Sequence, residues 1–227
     1  MSHEPHNHDD RVVLEPVQPA TAAVIWLHGL GADGHDFVPV VQELSLPASP
    51  GVRFVFPHAP QRPVTINGGM RMRAWYDIKA LERDGPEDVD GIRESGEQTA
   101  ALLDEQRAAG IPAERLIVAG FSQGGAIALH SGLRYGEPLA GILALSTYLP
   151  LRSQALAEAS DANRATPVLM MHGSLDPVLP MALGEMSRDL LLGAGYRIDW
   201  HEYPMQHQVC LQQIQRISAW LIARLGG

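Results

Sequence analysis

Short apolar runs alternate along this chain with longer segments of helical periodicity, the pattern of a mostly parallel α/β sheet. The runs predict strands over Val12–Val17, Ala22–Leu27, Val52–Phe56, Arg115–Ala119, Ala140–Leu145, Pro167–Met171 and Arg197–Glu202. The central runs are apolar throughout rather than alternating, as strands covered on both faces should be. Helices are predicted over Asp36–Glu43, Asp88–Ala109, Gln123–Leu133, Met181–Leu192 and Val209–Leu225, with Gly110 and residues 193–195 where C-caps belong. The expected fold class is therefore α/β, a mostly parallel central sheet of about seven strands with helices on both faces. One segment, Pro57–Gly85, shows neither periodicity and is rich in Pro, Gly and Arg. A loop that long in a small domain is usually functional, so it is a candidate lid or substrate wall.

Length and composition narrow the reading. The 227 residues, 45% hydrophobic, fit one domain, taken as residues 11–227 behind a flexible polar N-terminal tail, 1–10. That tail carries His3, His6 and His8, which suit a metal; a segment this polar reads more simply as a solvated terminus. The acidic cluster Glu82, Asp84, Glu87, Asp88 and Asp90 lacks the alternate spacing of a calcium loop and reads as a solvated helix approach. No metal and no cofactor is expected. A net charge of -9 argues against nucleic acid and anionic membranes as partners. No apolar run is long enough for membrane insertion, no signal peptide is visible, and the single Cys210 suits a reducing compartment; a cytoplasmic protein is expected.

The chemistry concentrates on residues 116–126, where an apolar strand enters Gly120-Phe121-Ser122-Gln123-Gly124 and small and apolar residues leave it on a helix. This is the setting of a nucleophile elbow, with Ser122 presented on a sharp strand-to-helix turn. A serine hydroxyl needs a base, and the base needs a carboxylate to orient it. On such sheets these follow in the order Ser, Asp, His. Asp176 lies just beyond a buried strand in a Gly-containing loop, and His207 lies beyond the last strand. Asp161 and Asp199 are weaker rivals for the acid, and His201 for the base; Asp176 as a mere turn or N-cap residue is the plain alternative. His130 reads as a packing or surface residue, His172 as a structural histidine, and Cys210 as a buried thiol inside the last helix. Backbone N–H groups for an oxyanion are expected from Gln123, which opens the helix, and from Leu30 in His28-Gly29-Leu30-Gly31. No phosphate-binding glycine motif occurs.

Assembled, these segments closely resemble the phospholipase/carboxylesterase family of α/β hydrolases. The resemblance is carried by residues 26–34, Phe56-Pro57-His58-Ala59-Pro60 and Arg62 to Asn67. It extends through Trp75-Tyr76-Asp77-Ile78, the elbow, His172-Gly173 with Asp176-Pro177-Val178, and Tyr203-Pro204-Met205 with His207. It implies the α/β-hydrolase fold, a triad of Ser122, Asp176 and His207, and an oxyanion hole from Leu30 and Gln123. It implies too an acyl pocket shaped by residues 65–77, with Thr65, Ile66, Asn67, Met72 and Trp75 as substrate-binding residues, and a homodimer as a common assembly. The expected activity is a serine carboxylesterase acting on small-molecule esters through an acyl-enzyme. The alternatives are an acyl-protein thioesterase or lysophospholipase with a longer acyl tunnel, and a non-catalytic binding protein of this fold. Arg71 and Arg73 beside the pocket favour a polar or carboxylate-bearing substrate.

Overall fold

The computed structural model describes residues 4–80 and 85–226. The seven predicted runs become seven of the eight strands of one sheet. In chain order these are β1 (Glu4–Asn7), β2 (Arg11–Glu15), β3 (Ala20–Leu27) and β4 (Gly51–Pro57), whereas β5 (Gln61–Val64) and β6 (Met70–Arg73) pair only with each other. The main sheet continues through β7 (Leu116–Phe121), β8 (Gly141–Leu145), β9 (Val168–Gly173) and β10 (Ile198–Tyr203). Its order is β1-β2-β4-β3-β7-β8-β9-β10, antiparallel at the first two pairings and parallel thereafter.

Among the described residues there are six α-helices: α1 (Val38–Glu43), α2 (Val89–Ala108), α3 (Gln123–Arg134), α4 (Arg152–Ala155), α5 (Met181–Gly193) and α6 (Leu211–Leu225). The period-two geometry of a strand explains why the central runs are wholly apolar. On β3, Ala23, Ile25 and Leu27 pack with Ile92 and Leu103 of α2 and Ile127 of α3. The alternate residues Ala22, Val24 and Trp26 pack on the other face with Val41 of α1 and Ile217 and Leu221 of α6. Fully burying each large aliphatic side chain contributes roughly 1.5–3 kcal/mol. Both faces of the sheet are thus committed to cores, and functional groups are left to the loops at the carboxyl ends of the parallel strands.

Two expectations need correction. Residues 1–10 are not wholly a flexible tail: Glu4–Asn7 form an edge strand in antiparallel register with Val12–Glu15. Main-chain pairing needs no apolar side chains, so Glu-Pro-His-Asn carried no strand signal. The sheet accordingly has eight strands rather than about seven. Residues 57–85 are not a structureless loop either; they hold the β5–β6 hairpin, with Gly68 (φ 66°) and Gly69 (φ 79°) at its tip. His3, Glu82 and Asp84 lie outside the described residues, while Asp88 stands at the N-cap position of α2 without a side-chain cap bond and accepts the Asp77 N–H at 2.8 Å.

Candidate active site

Ser122 stands between β7 and α3 with φ 55° and ψ −121°, a conformation an L-residue adopts only under constraint. The constraint is visible on both sides. The Ser122 N–H donates to Leu145 O at 2.8 Å, continuing the β7–β8 ladder, and its carbonyl accepts from the Thr147 hydroxyl at 2.7 Å and from the Ala126 N–H at 3.1 Å. The flanking glycines are required for space. A Cβ on Gly120 would strike the Gly124 carbonyl, and one on Gly124 would strike the carbonyls of Leu27 and His28, so α3 can seat against β3 only without them.

His207, beyond β10, comes within 2.9 Å of the Ser122 hydroxyl through Nε2 and within 2.6 Å of Asp176 Oδ2 through Nδ1. The carboxylate sets the tautomer: an ionised Asp176 can only accept, so Nδ1 carries the proton and Nε2 is left to accept from serine. The Phe121 ring lies 4.7 Å from the imidazole centroid and bounds its other side. The Asp176 side chain is fully buried, and its Oδ1 accepts from the Val178 and Leu179 N–H groups, each at 2.9 Å. One carboxylate therefore acts as a turn-capping group through one oxygen and orients the imidazole through the other. His172 completes the wall. Burial lowers its pKa, so it is neutral, and its Nε2–H donates to Leu179 O at 2.9 Å and lies 3.7 Å from Asp176 Oδ2.

The rival residues stand apart. Asp161 is fully exposed in a 3-10 turn, and Asp199 lies 2.8 Å from His201 on β10. His130 is buried in α3 against Gly96 of α2, where desolvation pulls its pKa down to about 4. It lines a cavity of about 720 Å³ between α2 and α3, with Arg93, Arg134 and Tyr135, in which Ser122 has no part. Cys210, expected as a buried thiol inside the last helix, is instead the half-buried N-cap of α6, in a reciprocal pairing with Gln213.

The loop 28–31 runs past the serine: a Cβ on Gly29 would lie 3.6 Å from Ser122 Cβ. As the first residue of α3, Gln123 has no intrahelical acceptor for its N–H, and the Leu30 N–H meets no acceptor among the described residues. Beneath them His28 is buried, with its pKa lowered to about 4 chiefly by desolvation. Its Nε2 accepts from the Ala59 N–H at 3.0 Å, so the ring proton sits on Nδ1 and is donated to Gly29 O at 2.7 Å.

The expected substrate wall divides in two. Ile66 is 44% exposed, and Met72 Sδ would lie 3.8 Å from a Cβ on Gly31 and accepts from Asn67 Nδ2 at 3.3 Å. Thr65 is occupied by Asp77, with its hydroxyl at 2.6 Å and its N–H at 2.7 Å from that carboxylate. Trp75 departs from the expectation of an open pocket wall: it is 2% exposed, and its indole N–H donates to His28 O at 2.9 Å, backing the 28–31 loop. Arg71 and Arg73 each donate to a hairpin-side carbonyl, Gln61 O and Ala59 O, both at 2.8 Å. The residues that the sequence reading missed are Phe121, Thr147 and the side chain of Gln123. Phe121 and Gln123 lie inside the elbow motif itself, and Thr147 lies two residues beyond the end of the neighbouring strand β8.

A doubly wound sheet that carries a strained serine at a strand-to-helix turn, with a histidine–aspartate pair from later strand ends, defines an α/β hydrolase. The phospholipase/carboxylesterase family model matches residues 8–224, and the chain belongs to that family, whose members hydrolyse ester and thioester bonds. Acyl-protein thioesterase 1 of Neurospora crassa is 42% identical over 223 residues, 94% of this chain and 91% of the relative. Acyl-protein thioesterase 1 of Gibberella zeae is 41% identical over 94% of this chain and 95% of its own length. The crystal structure of Zea mays acyl-protein thioesterase 2 superposes with a TM-score of 0.84 at 30% identity, covering 96% of this chain and 100% of that one.

Proposed function

We propose that this enzyme is an acyl-protein thioesterase-type hydrolase, which cleaves acyl thioesters of cysteine and, by the same chemistry, carboxylic esters. The observation that carries the reading is the continuous path Asp176 Oδ2–His207–Ser122 Oγ at 2.6 and 2.9 Å. The similarity to two acyl-protein thioesterases over nearly the whole chain moves the substrate expectation from simple esters toward acyl thioesters.

In this reading His207 Nε2 takes the Ser122 proton as Oγ attacks the acyl carbon. The oxyanion then receives the Leu30 and Gln123 N–H groups; a single such donor is worth about 10²–10³ in turnover in sites of this kind. Collapse expels the thiol or alcohol, which receives its proton from the histidine, and water repeats the sequence in reverse to release the acid. A thiol with an unperturbed pKa of about 8.5 depends less on that proton than an alcohol does, so thioester cleavage asks less of His207 as an acid.

The test compares kcat/KM for an S-hexadecanoyl cysteinyl peptide and for p-nitrophenyl butyrate, with Ser122→Ala as background. Turnover of both, lost in that variant, is expected. Thioester hydrolysis no faster than background, with ester hydrolysis intact, would return the enzyme to the simple carboxylesterases.

A further inference from the structure

We propose that the Gln123 side chain and the Trp75 indole are positioning groups: through the strap Arg73–Asp77 they hold both oxyanion N–H donors in one rigid frame. The inference rests on the hydrolase reading above and assigns a role to side chains that the triad and the hole do not use.

Gln123 is 2% exposed, and a buried carboxamide is costly unless its donor and acceptor are both paired. Its partners lie outside its own helix. Oε1 accepts from the Trp75 N–H at 2.8 Å and Nε2 donates to Tyr76 O at 2.7 Å, so one side chain grips two successive residues of the strap. The main-chain N–H of that same residue is one oxyanion donor. The strap in turn brackets the other. Trp75 Nε1 donates to His28 O at 2.9 Å on one side of Leu30, and Arg73 O accepts from the Gly31 N–H at 2.9 Å on the other. The Trp75 ring also lies 5.1 Å from the His28 imidazole, which is held by Gly29 O and the Ala59 N–H. On its far side the strap is tied down by the Ser95 hydroxyl of α2 on Trp75 O and by Ala74 N–H on Pro60 O at 3.0 Å.

The Leu30 and Gln123 amides come from loops after β3 and β7 and share no direct hydrogen bond. The β3–β7 pairing sets their parent elements side by side, and residues 73–76 add a second tie between them at the loop itself. Oxyanion donors must sit within a few tenths of an ångström of the developing charge, and a misplacement of about 1 Å can cost about 10² in rate. If the strap did no more than pack the loop, its loss would lower stability and leave turnover alone.

The experiment measures kcat and KM on p-nitrophenyl acetate, too short to engage an acyl wall, for Gln123→Met, Trp75→Phe and the double variant. Thermal melts, the pH profile of kcat/KM and the affinity for a trifluoromethyl ketone, whose adduct carries an oxyanion, are read alongside. For each single variant kcat is expected to fall about 10- to 100-fold with KM within about threefold, an effect confined to the transition state. Ketone affinity falls in step, while the pH profile keeps its midpoint because the Asp176–His207 pair is untouched. The double variant is expected to lose no more than about threefold beyond the worse single, since both act on one strap. A folded variant with kcat within twofold of wild type, a loss in KM alone, or losses that multiply in the double variant would each overturn the proposal. Should Gln123→Met fail to fold, the kcat and ketone affinity of Trp75→Phe decide it. Activity that survives Ser122→Ala would instead remove the hydrolase reading; activity lost there but kept in the strap variants removes only this inference.

Discussion

Asp176→Asn isolates what the carboxylate does, because the new amide has only one orientation that satisfies its surroundings. The Val178 and Leu179 N–H groups both point at Oδ1 from 2.9 Å. The asparagine oxygen must take that position, since an amide nitrogen there would face two donors. Its NH2 group is thereby forced into the place of Oδ2, 2.6 Å from His207 Nδ1. A donor there requires Nδ1 to accept, which moves the ring proton to Nε2 and points it at Ser122. The serine then loses its base without losing any packing. Turnover is expected to fall about 10⁴-fold, equivalent to roughly 5.5 kcal/mol of transition-state stabilisation. Stability should hold, because both N–H groups keep their acceptor. Asp176→Ala leaves both unpaired, at about 1–3 kcal/mol each. Steady-state kinetics on p-nitrophenyl butyrate with urea unfolding of both variants makes the check. An Asp176→Asn enzyme within tenfold of wild type, or one as unstable as Asp176→Ala, refutes the tautomer argument.

Other consequences follow from the same geometry. Ser122→Ala should fold and lose turnover by about 10⁴–10⁶, whereas Ser122→Gly, equally inactive, should unfold about 1 kcal/mol later than Ser122→Ala because glycine tolerates φ 55°; equal stability of the two would deny the strain. Gly124→Ala drives a methyl into the Leu27 and His28 carbonyls and is expected to yield little soluble enzyme, and a melt within a few degrees of wild type would show that α3 can move. His28 and His130 are held neutral, both with folded pKa values lowered to about 4 from 6.5. Between those values the unfolded chain binds the extra protons, so the stability present above pH 6.5 is lost as pH falls toward 4, by up to about 3 kcal/mol per residue. Urea unfolding of His130→Gln at pH 7 and 4.5 should show a shallower loss than wild type; parallel losses would remove His130 from the account.

The sheet and the Ser122–His207–Asp176 cluster were legible because both leave local marks. Strands buried on two faces must be apolar at every position, and an elbow between a strand and a helix needs small residues beside its serine. The hairpin β5–β6 was not legible by periodicity, because a pair of strands that joins no larger sheet owes no apolar face to a core. Asn67-Gly68-Gly69 is its turn signal, set among neighbouring prolines and arginines that carry no strand periodicity. Trp75 is hard to place from sequence for a related reason: residue type marks an aromatic near a pocket but not which way it faces, and its indole is bound to the main chain at His28. The dual bonding of Asp176 was equally invisible, since turn-capping and catalysis ask for the same residue at the same place.

The hairpin's self-contained pairing has a practical meaning. No strand of the main sheet depends on β5 or β6 for its register. Its tip, from Asn67 to Gly69, can therefore be lengthened, shortened or exchanged without retuning the sheet that carries Ser122, Asp176 and His207, whereas Thr65 and Ile66 are tied to Asp77 and Ile78. Its C-terminal stem leads straight into the Gln123-gripped strap and has no such freedom. The hairpin is thus a socket with one replaceable end: new acyl preferences should be graftable at the tip, and grafts that reach Ala74 should cost turnover.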